Sequence, residues 1–93
     1  MAQIHDPRLA NFVRTIPLLA VPRARSSSVR AVGYDQDTAV LVVQLQDGLR
    51  GYSDVTPAEL EALLTAASMR RHLETAIEPH RAWVLVDEPA AFA

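Results

Sequence analysis

The sequence contains no cysteine and no lysine, and its aromatic residues are limited to two tyrosines, two phenylalanines and one tryptophan among 93 residues. The absence of cysteine excludes a disulfide framework, a thiolate metal site and a thiol nucleophile. No apolar run approaches the roughly 20 residues that a membrane-spanning helix requires. A secretory signal needs an unbroken apolar stretch near its start, where Asp6, Arg14 and Pro17 stand instead. We therefore expect a cytoplasmic protein that does not contact membranes.

Hydrophobic residues make up 49% of the chain and charged residues 22%, which indicates one small globular domain. The nine cationic residues are all arginine, and the eleven acidic residues bring the formal net charge to -2. The charge is uneven, because residues 1–30 carry five arginines and one acid whereas residues 31–69 carry one arginine and six acids. The chain is thus basic at its beginning and acidic in its middle.

Residues 1–25 are predicted to form a helix followed by a linker. Asp6 is an N-cap residue and Pro7 suits the first helical position, while Pro17 lacks the N–H that a continuing helix would need. The apolar face of this helix would consist of Leu9, Phe12, Val13 and Ile16. Residues 21–28, rich in proline, arginine and serine, are typical of a linker.

Three strands are predicted next, joined as an antiparallel meander. Residues 28–34 and 39–46 alternate apolar with small or polar side chains, and turn-forming residues lie between them. Asp47-Gly48 is a strong hairpin signal, so residues 49–54 should return antiparallel to the middle strand.

The middle strand is apolar on both sides. The odd positions from Ala39 to Leu45 form one apolar face, and Val40 and Val42 lie on the other. Both faces of the sheet therefore need cover, from the rest of the chain or from a second copy.

Helical signals follow the strands. Thr56 and Glu59 form a capping-box pair, and Pro57 occupies the first helical position. A second short helix is predicted over residues 70–78 and should end before Pro79.

The predicted fold class is α+β, with an N-terminal helix, a three-stranded antiparallel meander and two C-terminal helices packed on one face. The short apolar run of residues 83–86 indicates a short fourth strand or an extended tail. The predicted boundaries are 1–25 for the N-terminal helix and linker, 26–80 for the α+β domain and 81–93 for the C-terminal strand or tail.

A series of short motifs between residues 26 and 80 resembles the KTSC domain, which is named from the C-terminus of some lysyl-tRNA synthetases and also occurs as stand-alone bacterial proteins. The matching residues are Ser27-Ser28, Gly33-Tyr34-Asp35, Leu41, Val43, Leu45, Asp47-Gly48, Tyr52, Val55, Leu63-Leu64, Ala66, Ser68 and Ile77. The chain departs from the family's Tyr-x-Tyr pattern at Arg50, and its proline after Val55 is displaced to Pro57. The resemblance implies a divergent stand-alone member, a small α+β domain without a known catalytic role, for which RNA binding has been suggested.

No residue pattern points to catalysis or to a cofactor. The histidines His5, His72 and His80 lack metal-ligand spacing, so no metal is expected. Nucleophile-elbow and glycine-rich phosphate-binding patterns are missing. Turn formation accounts for the aspartates Asp35, Asp37, Asp47 and Asp54 without an active site. We expect a non-enzymatic binding or accessory module.

RNA, and tRNA in particular, is the leading predicted partner. Tyrosines on an open sheet face could stack on single-stranded bases, and guanidinium groups beside them could contact phosphate. The predicted RNA-binding residues are Arg50, Tyr52, Tyr34, Arg23, Arg25, Arg30, Arg70 and Arg71. A sequence pI of 5.8 and few aromatic residues stand against this interpretation. The alternative is a protein-interaction or self-associating domain that uses the sheet face or an open strand edge.

Overall fold

A computed structural model of the chain describes residues 4–5, 15–24, 26, 28–46, 48–80 and 82–86. The predicted N-terminal helix up to Arg14, Arg25, Asp47 and the tail after Val86 lie outside these residues, and Thr15 and Ile16 form a turn and a bend. The strands are β1 (Ile4–His5), β2 (Leu19–Ala20), β3 (Ala31–Asp35), β4 (Val40–Leu45), β5 (Gly48–Tyr52) and β6 (Ala82–Val86). None of the helices in the described ranges has the length and hydropathy of a membrane span.

The sheet has the strand order β1-β6-β5-β4-β3-β2. The neighbouring pairs among β2 to β6 are antiparallel, and the two-residue β1 runs parallel to β6. The three strands of the predicted meander correspond to β3, β4 and β5, and the predicted fourth strand corresponds to β6. Strands β1 and β2 were missed because two residues are too few to show a period.

The middle strand β4 is buried on both faces, as its composition predicts. Leu41, Val43 and Leu45 belong to one cluster, which contains buried residues of the helices, whereas Val40 and Val42 belong to a second cluster on the opposite face. Ile16, Leu49 and Val84 complete that second cluster. Val42 is 0% exposed within a single chain, so a second copy is not needed to cover this face.

Turn residues account for the strand boundaries. The Asp35 carboxylate accepts hydrogen bonds from the Asp37 backbone N–H at 3.1 Å and from the Thr38 hydroxyl at 3.0 Å. Ala39 has a φ of 58°, so β4 begins at Val40 rather than at Ala39 as predicted. Asp54 has a φ of 56°, and β5 correspondingly ends at Tyr52 rather than at residue 54.

Helix α1 (Pro57–Thr65) begins as predicted, with the reciprocal capping box of Thr56 and Glu59. The second helix differs from the prediction of residues 70–78. Its N-cap is Ser68, and it comprises α2 (Met69–His72), a π-helical turn (Leu73–Ile77) and a 3-10 turn (Glu78–His80). Pro79 therefore lies inside the final 3-10 turn instead of ending the helix before it, since a short 3-10 turn needs fewer backbone N–H donors.

Both helices lie on the same side of the sheet. Leu63 of α1 and Met69, Leu73 and Ile77 of the second helix are buried in the cluster that contains Leu41. This arrangement covers the face of the sheet that carries Tyr34 and Tyr52, because cross-strand neighbours point to the same side and both tyrosines pair with Leu41.

Candidate functional site

Arg50, Tyr52 and Glu78 form a buried polar cluster beneath the end of the second helix. The Tyr52 hydroxyl donates to Glu78 Oε1 at 2.7 Å, and Arg50 Nη1 donates to the same oxygen at 3.0 Å. The Arg50 and Glu78 side chains are 11% and 12% exposed. The Glu78 carboxylate thus balances a guanidinium that the sheet holds away from water.

Trp83 of β6 completes this cluster from the neighbouring strand. It pairs with Tyr52 in the sheet, and the two rings are stacked with centroids 6.1 Å apart. The Arg50 guanidinium carbon lies 5.9 Å from the centroid of the Trp83 ring, within cation–π range. Glu74 lies 3.8 Å from Arg50 Nη1 and 3.3 Å from Arg70 Nε, so it links the cluster to the helix surface.

Sequence reasoning missed Glu78 because 26 residues separate it from Tyr52. One signal was available. Arginine on the inward side of a strand is almost never fully buried without an acidic partner, and Glu78 follows Ile77 on the predicted core-facing helix.

Burial raises the pKa of the Tyr52 phenol, and the Glu78 carboxylate raises it further by hydrogen bonding and by charge repulsion of the phenolate. In the unfolded chain a tyrosine ionises near pH 10, so above about pH 10 the unfolded state binds fewer protons than the folded state. The free energy of unfolding should therefore fall by up to about 1.4 kcal/mol per pH unit above that value.

Tyr52→Phe should remove this contribution to the fall in the free energy of unfolding at alkaline pH. We expect urea denaturation between pH 9 and 11 to show a smaller decline in the free energy of unfolding for Tyr52→Phe than for the wild type, although Tyr52→Phe is less stable at pH 7 because Glu78 loses a donor. If the free energy of unfolding declines equally with pH in the two proteins, the burial of the Tyr52 phenol is contradicted.

The two tyrosines do not form the predicted open stacking platform. Tyr52 is 0% exposed, so no face of its ring is available to a base, and this part of the RNA prediction is wrong. Tyr34 is half-buried, and its hydroxyl donates to the Val55 carbonyl oxygen. The physical reason is the helical layer, which covers the side of the sheet on which both rings lie.

Of the predicted arginines that the structure describes, two are paired with acids and three are exposed. Arg50 is in the buried cluster, and Arg70 is ion-paired with Glu74 on the helix surface. Arg23, Arg30 and Arg71 are exposed. Arg25 lies outside the described residues. Among the predicted RNA-binding residues that it describes, the structure therefore separates the buried Arg50 and Tyr52 from the exposed arginines.

A groove lies between the β2–β3 edge of the sheet and helix α1, and we refer to it as the edge groove. It encloses about 860 Å³. Its apolar lining includes Leu19 and Val32 from the sheet edge and Leu60, Leu64 and Met69 from the helices. Asp35, the last residue of β3, and Asp37, in the turn that follows, also line it.

Large exposed apolar side chains are concentrated at this groove. Across the described part of the chain, the exposed large hydrophobic residues are Leu19, at 78%, and Leu64, at 43%. Both line the edge groove, one from each wall. Sequence reasoning could not find this site, because the two residues of β2 show no strand pattern and β2 lies far from α1 along the chain.

Proline and glycine explain why β2 is short at the groove. Leu19 pairs with Val32, so continuing the register places Pro17 opposite Tyr34, where proline has no N–H to donate. The chain instead passes close over Gly33, where a Cβ atom would clash with the Pro17 carbonyl oxygen and lie 3.0 Å from both Ile16 Cγ2 and Leu18 Cδ2. The edge of β3 beyond β2 therefore borders the groove.

Comparison with known proteins agrees with the resemblance found in the sequence. The sequence profile of the KTSC domain matches residues 25–80. The chain belongs to the KTSC domain family. An uncharacterized protein from Stutzerimonas stutzeri (strain A1501) is 39% identical over 62 residues, which cover 63% of this chain and 87% of that relative.

The fold is shared with a solved KTSC structure. The crystal structure of a KTSC domain protein from Yersinia pestis matches with a TM-score of 0.67 and 22% sequence identity, over 77% of this chain and 99% of that one. At this identity the likeness concerns the fold alone: a small α+β domain with a five-strand antiparallel sheet and two helices. Within the residues that the structure describes in this KTSC domain, no group of three or more His, Asp or Glu side chains is placed to hold a metal ion.

Proposed function

We propose that this KTSC domain is a non-enzymatic protein-interaction module, and that its edge groove binds an extended apolar segment bearing a cationic residue. The observation that supports the proposal is the convergence of Leu19 and Leu64 on one groove. Exposed apolar side chains that share a concave surface favour binding of an apolar group, because each loses contact with water when the groove is filled.

A peptide segment suits the groove's shape and position. The groove borders an outer strand, where a bound segment can use backbone hydrogen bonds, and its lining is mainly apolar. Asp37 is exposed at one end of the groove and has no ion pair among the described residues. A lysine or arginine on the bound segment would complement this charge.

RNA is the second candidate, supported by the exposed Arg23, Arg30 and Arg71 and by the resemblance to a domain named from lysyl-tRNA synthetases. Two features of the structure favour the protein partner instead. The ring of Tyr52 is buried, and the groove carries carboxylates that would repel phosphate.

Selection from a random peptide library displayed on phage tests the proposal. We expect the selected peptides to carry apolar residues and a lysine or arginine. We also expect Leu64→Asp to weaken their binding at least tenfold by isothermal titration calorimetry, because an aspartate at the groove wall must be desolvated. Leu19→Asp, at a highly exposed position, is a second variant that should fold normally. Ala76→Asp, on the exposed side of the second helix, is the matched control and should bind as the wild type does.

The same proteins should be titrated with labelled tRNA at 50 and 200 mM salt. If no peptide is selected, or if the selected peptides bind Leu64→Asp and wild type equally, the proposed groove function is rejected. If tRNA binds with an affinity that falls steeply with salt and depends on Arg23 or Arg30 but not on Leu64, RNA is the partner instead.

A further inference from the structure

The outer edge of the sheet carries both an apolar side chain that projects and an apolar groove that could receive one. Strand β2 is the last strand of the sheet, and it consists only of Leu19 and Ala20. Leu19 pairs with Val32, a residue of the helix-side cluster, so its side chain points to the side of the sheet on which the groove lies. A surface with both features can be complementary to itself.

Charge is distributed unequally along this edge. The Val21 N–H donates to the Arg30 carbonyl oxygen at 2.7 Å, which places the exposed Arg23 and Arg30 near the same end of the edge. Asp35 ends β3, about 17 Å from Arg30 at roughly 3.3 Å per strand residue, and Asp37 lies in the turn that follows. Within the described ranges, Arg23, Arg30 and Asp37 form no ion pair with one another or with other groups.

An antiparallel arrangement of two such edges would match the charges. A two-fold axis perpendicular to β2 reverses the direction of the second edge, so the arginine end of each copy faces the aspartate end of the other. The same operation brings Leu19 of each copy toward the groove of the other.

We propose that the edge groove binds a second copy of this chain, which contributes Leu19 as the apolar group and Arg30 as the cation that faces Asp37. This inference rests on the proposed function and names its partner. Strand β2 offers only two residues for pairing, so the dimer is held mainly by Leu19 in the groove and by the two Arg30–Asp37 pairs. Dimerisation should therefore be concentration-dependent and weakened by salt.

Sedimentation velocity from 10 μM to 1 mM measures the association. We expect the mass to rise from 10.2 kDa toward twice that value, and Leu19→Asp to weaken the association at least tenfold. Arg30→Glu and Asp37→Arg should each weaken it by a similar factor, since each places like charges opposite one another. The double variant Arg30→Glu with Asp37→Arg should restore it, because the charges are exchanged but remain opposite. Ala76→Glu is the matched charge control and should associate like the wild type.

The result separates the two proposals. A 10.2 kDa species at every concentration overturns self-association. A dimer unaffected by Leu19→Asp and by the charge reversals also overturns it, because a different surface then associates. Phage selection on the Arg30→Glu variant, which should be monomeric and keeps the groove lining intact, tests the groove independently. If the selected peptides bind in a way that depends on Leu64, the proposed function stands even if self-association fails.

Discussion

Replacing Glu78 by alanine is expected to lower the free energy of unfolding by about 3 kcal/mol, because it leaves the buried Arg50 guanidinium without its nearest carboxylate. Both side chains are about nine-tenths buried, and Glu78 also accepts from the Tyr52 hydroxyl. The loss therefore combines a buried charge that the more distant Glu74 compensates only in part with an unmade hydrogen bond. For a domain of this size the melting temperature should fall by more than about 10 °C.

Glu74→Ala is the matched control for this experiment. Glu74 contacts the same guanidinium at 3.8 Å, but its side chain is 41% exposed, so its removal should cost at most about 1 kcal/mol. Arg50→Met in the Glu78→Ala background should recover part of the loss, since it removes a buried charge that has lost its nearest carboxylate. Urea denaturation measures all four free energies. A loss below about 1 kcal/mol for Glu78→Ala would show that the pair is solvated rather than buried.

Gly33→Ala is expected to lower the free energy of unfolding by about 2–3 kcal/mol, as overpacking of a tight contact does. The added Cβ would clash with the Pro17 carbonyl oxygen and lie 3.0 Å from Ile16 Cγ2 and Leu18 Cδ2. A backbone carbonyl cannot rotate away as a flexible side chain can, so residues 16–18 must shift as a unit. This shift would disturb the second core cluster, to which Ile16 belongs.

The same substitution should also weaken peptide binding, because Pro17 and Gly33 both line the edge groove. For the stability measurement the control is Ala20→Val, which enlarges an exposed residue of the adjacent strand and should change the free energy of unfolding by no more than about 0.5 kcal/mol. Denaturation curves for Gly33→Ala and wild type that coincide would mean that the chain does not pass as closely over β3 as the structure shows.

Local sequence patterns predicted those helices and strands whose signals are contained in a few consecutive residues. The start of α1 follows from Thr56, Pro57 and Glu59, and the alternation in β4 follows from its run of branched apolar residues. The predicted extent of the second helix was less accurate. With Ser68 as its N-cap the helix begins at Met69, one residue before the predicted start, and its final turns change to π and 3-10 geometry, which allows Pro79 to be included.

The candidate sites depended on contacts between distant parts of the chain. Arg50 and Tyr52 were singled out from the sequence, but as a surface for RNA. The position of the helices above β5 makes them a buried cluster with Glu78 instead. The edge groove was not foreseen, because its walls come from β2 and α1 and neither wall shows a binding pattern alone.

The sequence by itself determined the family, the α+β class, the central antiparallel strands and the capped first helix, because short-range periodicity and capping chemistry encode these features. Only the tertiary structure decided which face of the sheet is covered, what neutralises Arg50 and where apolar surface remains exposed. These outcomes depend on the relative positions of segments that are far apart in the chain, and hydrophobic burial fixes those positions without leaving a local sequence signal.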